Sequence, residues 1–233
     1  MGRFLGNPAS RFESIVEIVR KELSSSSHDF EHVMRVHRLC LLLAEDAPNV
    51  SLDVLRTAAL LHDIGRVRED KDNSGNTDHA SLSAQMAETI LRGLGDSDEL
   101  IKQVKHCILS HRFRSSVDPG TDEARILFDA DKLDAIGAVG IARCFMLAGE
   151  YRESIFSDKP LDDYVRLNLV DGKSNERIKD ISKHAPNLEF EIKLRHIPEK
   201  LHTRKAKTIA NDRVRVMDEF FKRLRDEISG DIL

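Results

Sequence analysis

Apolar residues recur every three to four positions along most of this sequence, and a convincing two-residue alternation occurs nowhere. Phe12, Ile15, Val16, Val19 and Leu23 form the first stripe, which predicts a helix over residues 12–23 after a poorly ordered lead-in of residues 1–10. Four serines, Ser24 to Ser27, interrupt it. A second helix opens at His28-Asp29, carries Val33, Val36, Cys40, Leu43 and Ala47 on one stripe, and stops near Pro48. Ser51 reads as the N-cap of a third helix, whose apolar run Leu55, Ala58, Ala59 and Leu61 ends at His62-Asp63. The polar stretch 67–77, VREDKDNSGNT, predicts a surface loop.

Further helices are expected over about 78–94, closed by the Gly93/Gly95 pair, and over about 97–110. A loop at 112–121 holds two arginines and an Asp-Pro-Gly turn. The helical pattern resumes over 122–134 and again over 135–148. Between residues 150 and 187, turn signals at Asp158-Lys159-Pro160 and Asp171-Gly172-Lys173 predict short helices joined by loops. Residues 188–201 and 203–228 read as two more helices. The last faces inward through Ile209, Val214 or Val216, Met217, Phe220, Phe221 and Leu224. The pattern specifies an all-α chain without internal repeats, in which the segment after about residue 150 is a helical extension of the preceding core.

Composition narrows this only a little. A chain of 233 residues with 40% hydrophobic and 33% charged residues is long enough to bury a proper core. The formal net charge of −4 gives no overall basic character, which argues against a nucleic-acid partner. Cys40, Cys107 and Cys144 are odd in number, far apart and set in apolar helical patterns, so they read as buried free thiols in a reducing compartment. No apolar run reaches the length of a membrane span and no signal peptide is evident, so the expected location is the cytoplasm. Neither a Walker A sequence nor Gly-x-Ser-x-Gly occurs, which leaves P-loop and serine-hydrolase chemistry unsupported.

Candidate chemistry comes from ten histidines that are unevenly placed. His28, His32 and His37 share the second predicted helix. His62 ends the third, His79 opens the fourth, and His106 and His111 lie in and at the end of the fifth. Downstream, FDADKLD puts Asp129, Asp131 and Asp134 into an otherwise apolar helix. Buried carboxylates of that kind need a partner or a metal. The adjacent His62 and Asp63 offer one imidazole and one hard carboxylate at nearly the same point, a pair suited to a divalent ion.

These stretches resemble the HD-domain metal-dependent phosphohydrolases. The matching segments are HDFEHVMRV, LLHDIGR and DADKLDAIGA, and the likeness runs from about His28 to Gly149. It implies one HD-type helical bundle over about 28–149 with a C-terminal helical extension over about 150–233. It also implies a metal set of His32, His62, Asp63 and Asp131, holding Mn, Mg, Fe, Co, Ni or Zn. Three helices of a bundle can each present a ligand to a common point. Two imidazoles and two carboxylates leave coordination positions open, and a metal there acidifies bound water and polarises a phosphoryl oxygen. In two-metal relatives, histidines at the places of His79 and His111 hold a second ion beside the bridging aspartate, here Asp63. The alternative is that both contact substrate phosphate. Such relatives often carry two adjacent histidines where this chain has His111-Arg112.

Arg66 stands where HD-Ile-Gly relatives carry lysine, and Lys132 directly follows the last ligand. With Asp63 these two form the expected catalytic set. Arg35 lies one turn after His32, and Arg112 and Arg114 lie beside His111. His28, Arg35, His79, His111 and Arg112 are the expected substrate contacts, arginine being suited to bidentate phosphate recognition. His28 could instead orient His32, Asp134 could orient a ligand, and His106 reads as core or as support behind the ligands. His37, His184, His196 and His202 read as structural or exposed.

The expected activity is hydrolysis of a phosphate ester or anhydride of a small molecule, a nucleotide in the first instance. The C-terminal stretch LHTRKAKTIANDRVRVMDEFF resembles a nucleotide-hydrolysing branch. The alternatives are a phosphodiesterase acting on a cyclic nucleotide or oligonucleotide, and a non-catalytic nucleotide sensor that keeps its metal. The oligomeric state is not legible in the sequence.

Overall fold

The architecture is given by a computed structural model, which describes residues 8–23, 30–70, 72, 78–113, 117–173 and 177–231. The chain is all-α. Among the described residues the only β contact is an isolated antiparallel bridge between Leu169 and Ile178. No helix among them is long and apolar enough to cross a membrane. The chain divides into two compact units, Met1–Asp131 and Lys132–Leu233.

The first unit is arranged around α3 (Leu52–Leu61), which packs against α1 (Pro8–Glu22), α2 (Phe30–Ala44), α5 (His79–Gly93) and α6 (Asp98–Ser110). A helix with neighbours on so many sides must be apolar nearly all round. Accordingly Val54, Leu55, Thr57, Ala58, Ala59, Leu60 and Leu61 are all buried. Ser51 caps it as expected, its hydroxyl accepting from Val54 N–H at 3.4 Å. Arg11 ties α1 to this frame, donating to Asp96 at 2.8 Å and to Asp53 at 2.9 Å. In α2 the stripe Val33, Val36, Cys40 and Leu43 is buried, but the helix ends at Ala44 and leaves Ala47 half-buried beyond it.

The stretch expected as a loop at 67–77 begins instead with a short helix, α4 (Arg66–Asp70). The turn at 62–65 runs straight into it, with Arg68 N–H donating to Gly65 O at 3.1 Å, and Val67 anchors it by burial. Residues 71 and 73–77 of that stretch lie outside the described set. Helix α7 (Asp122–Asp134) carries the late aspartates.

The second unit is built on α8 (Gly137–Tyr151), α9 (Leu161–Asn168), α10 (Pro186–Ile192), α11 (Ile197–Lys200) and α12 (Arg204–Ser229). Tyr164, Leu169, Ala185, Leu188 and Ile192 form one buried cluster. Met217 and Phe221 of α12 are buried as expected, and Phe221 stacks on Phe190 at 5.2 Å. Ile209, Val214, Val216, Phe220 and Leu224 are half-buried, while Ala206 and Ala210 are fully covered. The single helix expected over 188–201 is two. Lys193 leaves helical geometry at φ −139°, a short 3-10 turn follows, and α11 restarts with Pro198, which has no N–H to continue a preceding ladder.

Candidate metal centre

His62 follows the apolar run of α3 and is carried into the core with it, fully buried. Its Nδ1 lies 2.8 Å from the Ala59 carbonyl oxygen, an acceptor only, so Nδ1–H donates there and Nε2 keeps its lone pair. Burial pushes the His62 pKa down to about 4, so the ring is neutral at neutral pH. That lone pair faces His32 Nε2 at 3.4 Å and Asp63 Oδ2 at 3.9 Å. His32, buried on α2, also faces Asp63 Oδ2 at 3.7 Å and Asp131 Oδ1 at 3.4 Å. The structure therefore groups His32, His62 and Asp63 within reach of one cation, and sets Asp131 against His32. Donor atoms spaced like this suit a single cation with bonds of about 2.1 Å.

The other oxygen of Asp63 looks the opposite way. Oδ1 is 3.5 Å from His79 Nε2 and 3.5 Å from His111 Nε2. It is buried without a hydrogen-bond partner, which is costly for a carboxylate oxygen unless something unseen satisfies it. His111 ends α6 and aims Nδ1 at the Ile108 carbonyl oxygen at 2.5 Å. His79 opens α5, capped by Asp78, and its Nδ1 lies 2.7 Å from Glu69 Oε2. Asp63, His79 and His111 thus form a second group able to hold a cation, sharing Asp63 with the first. Burial would push the Asp63 carboxyl up, but His62, His111 and His79 outweigh it and hold the group well below the usual carboxylate range. Burial lowers the His79 pKa, against the opposing pull of Asp63. Imidazole nitrogens around an ionised carboxylate are a donor set suited to a divalent cation. The residues present fit such an ion at both groups.

The expected phosphate contacts are less uniform. Arg66 Nη1 donates to Glu69 Oε2 at 3.0 Å. Arg112 Nη1 donates to Asp78 Oδ2 at 2.6 Å and stands 3.8 Å from Glu69 Oε1. Arg35 is half-buried on α2, and Lys132 is buried in α7 next to Asp131. His28 and Arg114 lie outside the described residues. His106 is half-buried and accepts from Gly120 N–H at 3.2 Å. Asp134 is buried and faces Arg143 at 3.7 Å. His184 is buried as a structural group against Tyr164.

Sequence reasoning missed Glu69. It sits in a short polar stretch with no periodicity, and its only signal was a carboxylate three residues after Arg66. Gly65 also proves structural. Its N–H donates to Ser83 Oγ at 2.9 Å, and a Cβ there would stand 2.9 Å from Ser83 N, so only glycine lets this turn lie against α5.

Comparison with known proteins agrees with this geometry. Residues 29–136 match the family model for the HD domain. The uncharacterized protein YpgQ of Bacillus subtilis is 29% identical over 208 residues, which is 88% of this chain and 87% of YpgQ. The crystal structure of YpgQ in complex with ADP matches with a TM-score of 0.69 at 27% identity, covering 94% of this chain and 98% of that one. A predicted HD superfamily hydrolase from an uncultured Thermotogales bacterium matches with a TM-score of 0.62 at 28% identity, covering 92% and 91%. The 3'-5' exoribonuclease YhaM of Listeria welshimeri is 29% identical over 138 residues, which is 54% of this chain and 44% of YhaM.

Proposed function

We propose that this chain is an HD-domain hydrolase, a metal-dependent phosphohydrolase acting on a nucleotide, a reading supported by the match of residues 29–136 to the HD-domain family model and by the likeness to a predicted HD superfamily hydrolase. One observation carries the reading. Asp63 turns one oxygen to His32 and His62 and the other to His79 and His111, within 3.5–3.9 Å of all four imidazoles. His32, His62, Asp63 and Asp131 would hold one divalent cation, and Asp63, His79 and His111 a second. When bound, such a cation supplies Lewis-acid polarisation of a phosphoryl oxygen and lowers the pKa of water.

The chain's own side chains do the rest. The Nδ1 contacts of His62 and His111 to backbone carbonyls hold those rings in one orientation, so the donor set is organised in advance. Arg66, Lys132, Arg35 and Arg112 bring fixed positive charge for a substrate phosphate. Arg66 and Arg112 rest on Glu69 and Asp78, and would exchange those carboxylates for phosphate oxygens of similar geometry. Support for a nucleotide comes from YpgQ, which matches along nearly its whole length and is seen with ADP. Three free cysteines, two of them buried and one half-buried, fit a reducing cytoplasm. A phosphodiesterase acting on a short RNA is the second reading, favoured by the likeness to YhaM, although the net charge of −4 suits a long polyanion poorly.

The test joins metal content to turnover. Protein purified without chelator is analysed for bound cations. It is then screened for phosphate or pyrophosphate release from nucleoside tri- and monophosphates, cyclic nucleotides and oligonucleotides with Mn, Co, Ni and Mg. Asp63→Ala should lower turnover by several orders of magnitude, because the uncatalysed reaction is very slow. An Asp63→Ala protein with wild-type turnover would sink the mechanism. A wild-type protein that binds metal and hydrolyses nothing in the screen would make the chain a sensor.

A further inference from the structure

We propose that Glu69 is the positioning residue of the Asp63–His79–His111 group, selecting the His79 ring tautomer that can accept a cation against a competing contact from Arg66. The inference rests on the reading of that group as a cation site. It starts from one crowded nitrogen. His79 Nδ1 lies 2.7 Å from Glu69 Oε2 and 2.7 Å from Arg66 Nη1. A carboxylate can only accept and a guanidinium can only donate. The two contacts therefore require opposite protonation at the same atom.

If Arg66 donates to Nδ1, the ring proton must sit on Nε2. Nε2 faces Asp63 Oδ1 at 3.5 Å, so His79 would become a donor to that carboxylate with no lone pair left for a cation. If Nδ1–H donates to Glu69, the lone pair is on Nε2, in the space that His111 Nε2 also faces. Only this second tautomer makes His79 a ligand.

Three features favour Glu69. A neutral ring donating to a carboxylate makes a charge-assisted bond, stronger than a neutral pair. The carboxylate also grips His79 twice, because Oε1 accepts from the His79 backbone N–H at 3.3 Å. Arg66 keeps a partner on yielding His79 Nδ1, since its Nη1–H also donates to the same Glu69 oxygen at 3.0 Å. Glu69 thus satisfies both neighbours, whereas Arg66 at Nδ1 would leave a carboxylate oxygen without its imidazole donor.

The tautomer can be read without any metal. In metal-free protein labelled with 15N-histidine, long-range proton–nitrogen spectra should show His79 protonated at Nδ1. Glu69→Ala should move the proton to Nε2, and adding Arg66→Ala should remove that bias. Glu69→Gln, whose amide oxygen can still accept, should keep the wild-type signature. In manganese titrations the second ion should bind about 10- to 100-fold more weakly to Glu69→Ala, with the first ion unaffected and with partial recovery in Glu69→Gln. A Glu69→Ala protein whose His79 nitrogens match wild type would overturn the assignment. A wild-type protein with the Nδ1–H signature and only one manganese ion would instead overturn the cation reading of the group, so the two failures are distinguishable.

Discussion

A methyl group placed on Gly65 would meet the backbone nitrogen of Ser83 at 2.9 Å and the carbonyl oxygen of His79 at 3.1 Å. Backbone atoms cannot swing aside as a side-chain tip can, so Gly65→Ala should push the 62–65 turn off the start of α5. Overpacking of this kind costs about 1–3 kcal/mol. Urea denaturation should show that loss, and manganese uptake should fall with it, because His79 is one of the groups displaced. A Gly65→Ala protein with the wild-type midpoint and metal content would mean that the turn has slack the structure does not show. At this scale the sequence was informative where rare chemistry sat in apolar surroundings. His62-Asp63 and Asp131 were visible because such residues are out of place in a helix core. Glu69 was invisible for the converse reason: a carboxylate in VREDKD looks like any solvated charge, and only the fold brings it to His79.

Among the elements, α5 has the N-terminus that matters most for the site. Asp78 caps it, accepting from Ser81 N–H at 2.9 Å, and its other oxygen holds Arg112. Asp78→Ala should lower stability by about 0.5–2 kcal/mol through the lost cap. It should also fray the first turn, where His79 sits. Thermal melting monitored by circular dichroism reads the first effect and manganese titration the second, and loss of neither would show that the cap is dispensable. The helices with a long stripe, such as α3 with its Ser51 cap and α6, were legible before the structure, and the structure adds Ser97 as the cap of α6. Short elements were not. Helix α4 has five residues and α11 four, less than the periodicity needs to declare itself. The break at Lys193 depends on backbone geometry that an unbroken apolar pattern hides.

For the whole molecule, each of the two units carries its own buried polar network. In the second, His184 Nε2–H faces Glu189 Oε2 at 3.3 Å, and Tyr164 O–H donates to His184 Nδ1 at 2.6 Å. Burial opposes ionisation of Glu189, but Lys193 and His184 override it and hold the carboxyl at about 2. Between that value and about 4.5, the unfolded chain binds a proton that the folded chain does not. The stabilisation from Glu189 is therefore whole above about pH 4.5 and is lost as pH falls toward about 2. Glu189→Gln should be less stable than wild type at pH 6, and its urea midpoint should drop less on going to pH 3. Parallel curves for the two proteins would refute the linkage.

The same network has an optical consequence. The chain has no tryptophan and two tyrosines, Tyr151 and Tyr164, and both belong to the second unit. Excited near 280 nm, the protein therefore emits only from that unit, and with Tyr164 buried against an imidazole its emission is tied to the packing there. The unit that holds Asp63 and its four histidines is dark. A melting curve followed by intrinsic emission would report the second unit, and a shift of that curve on adding manganese would mean that the two units unfold as one.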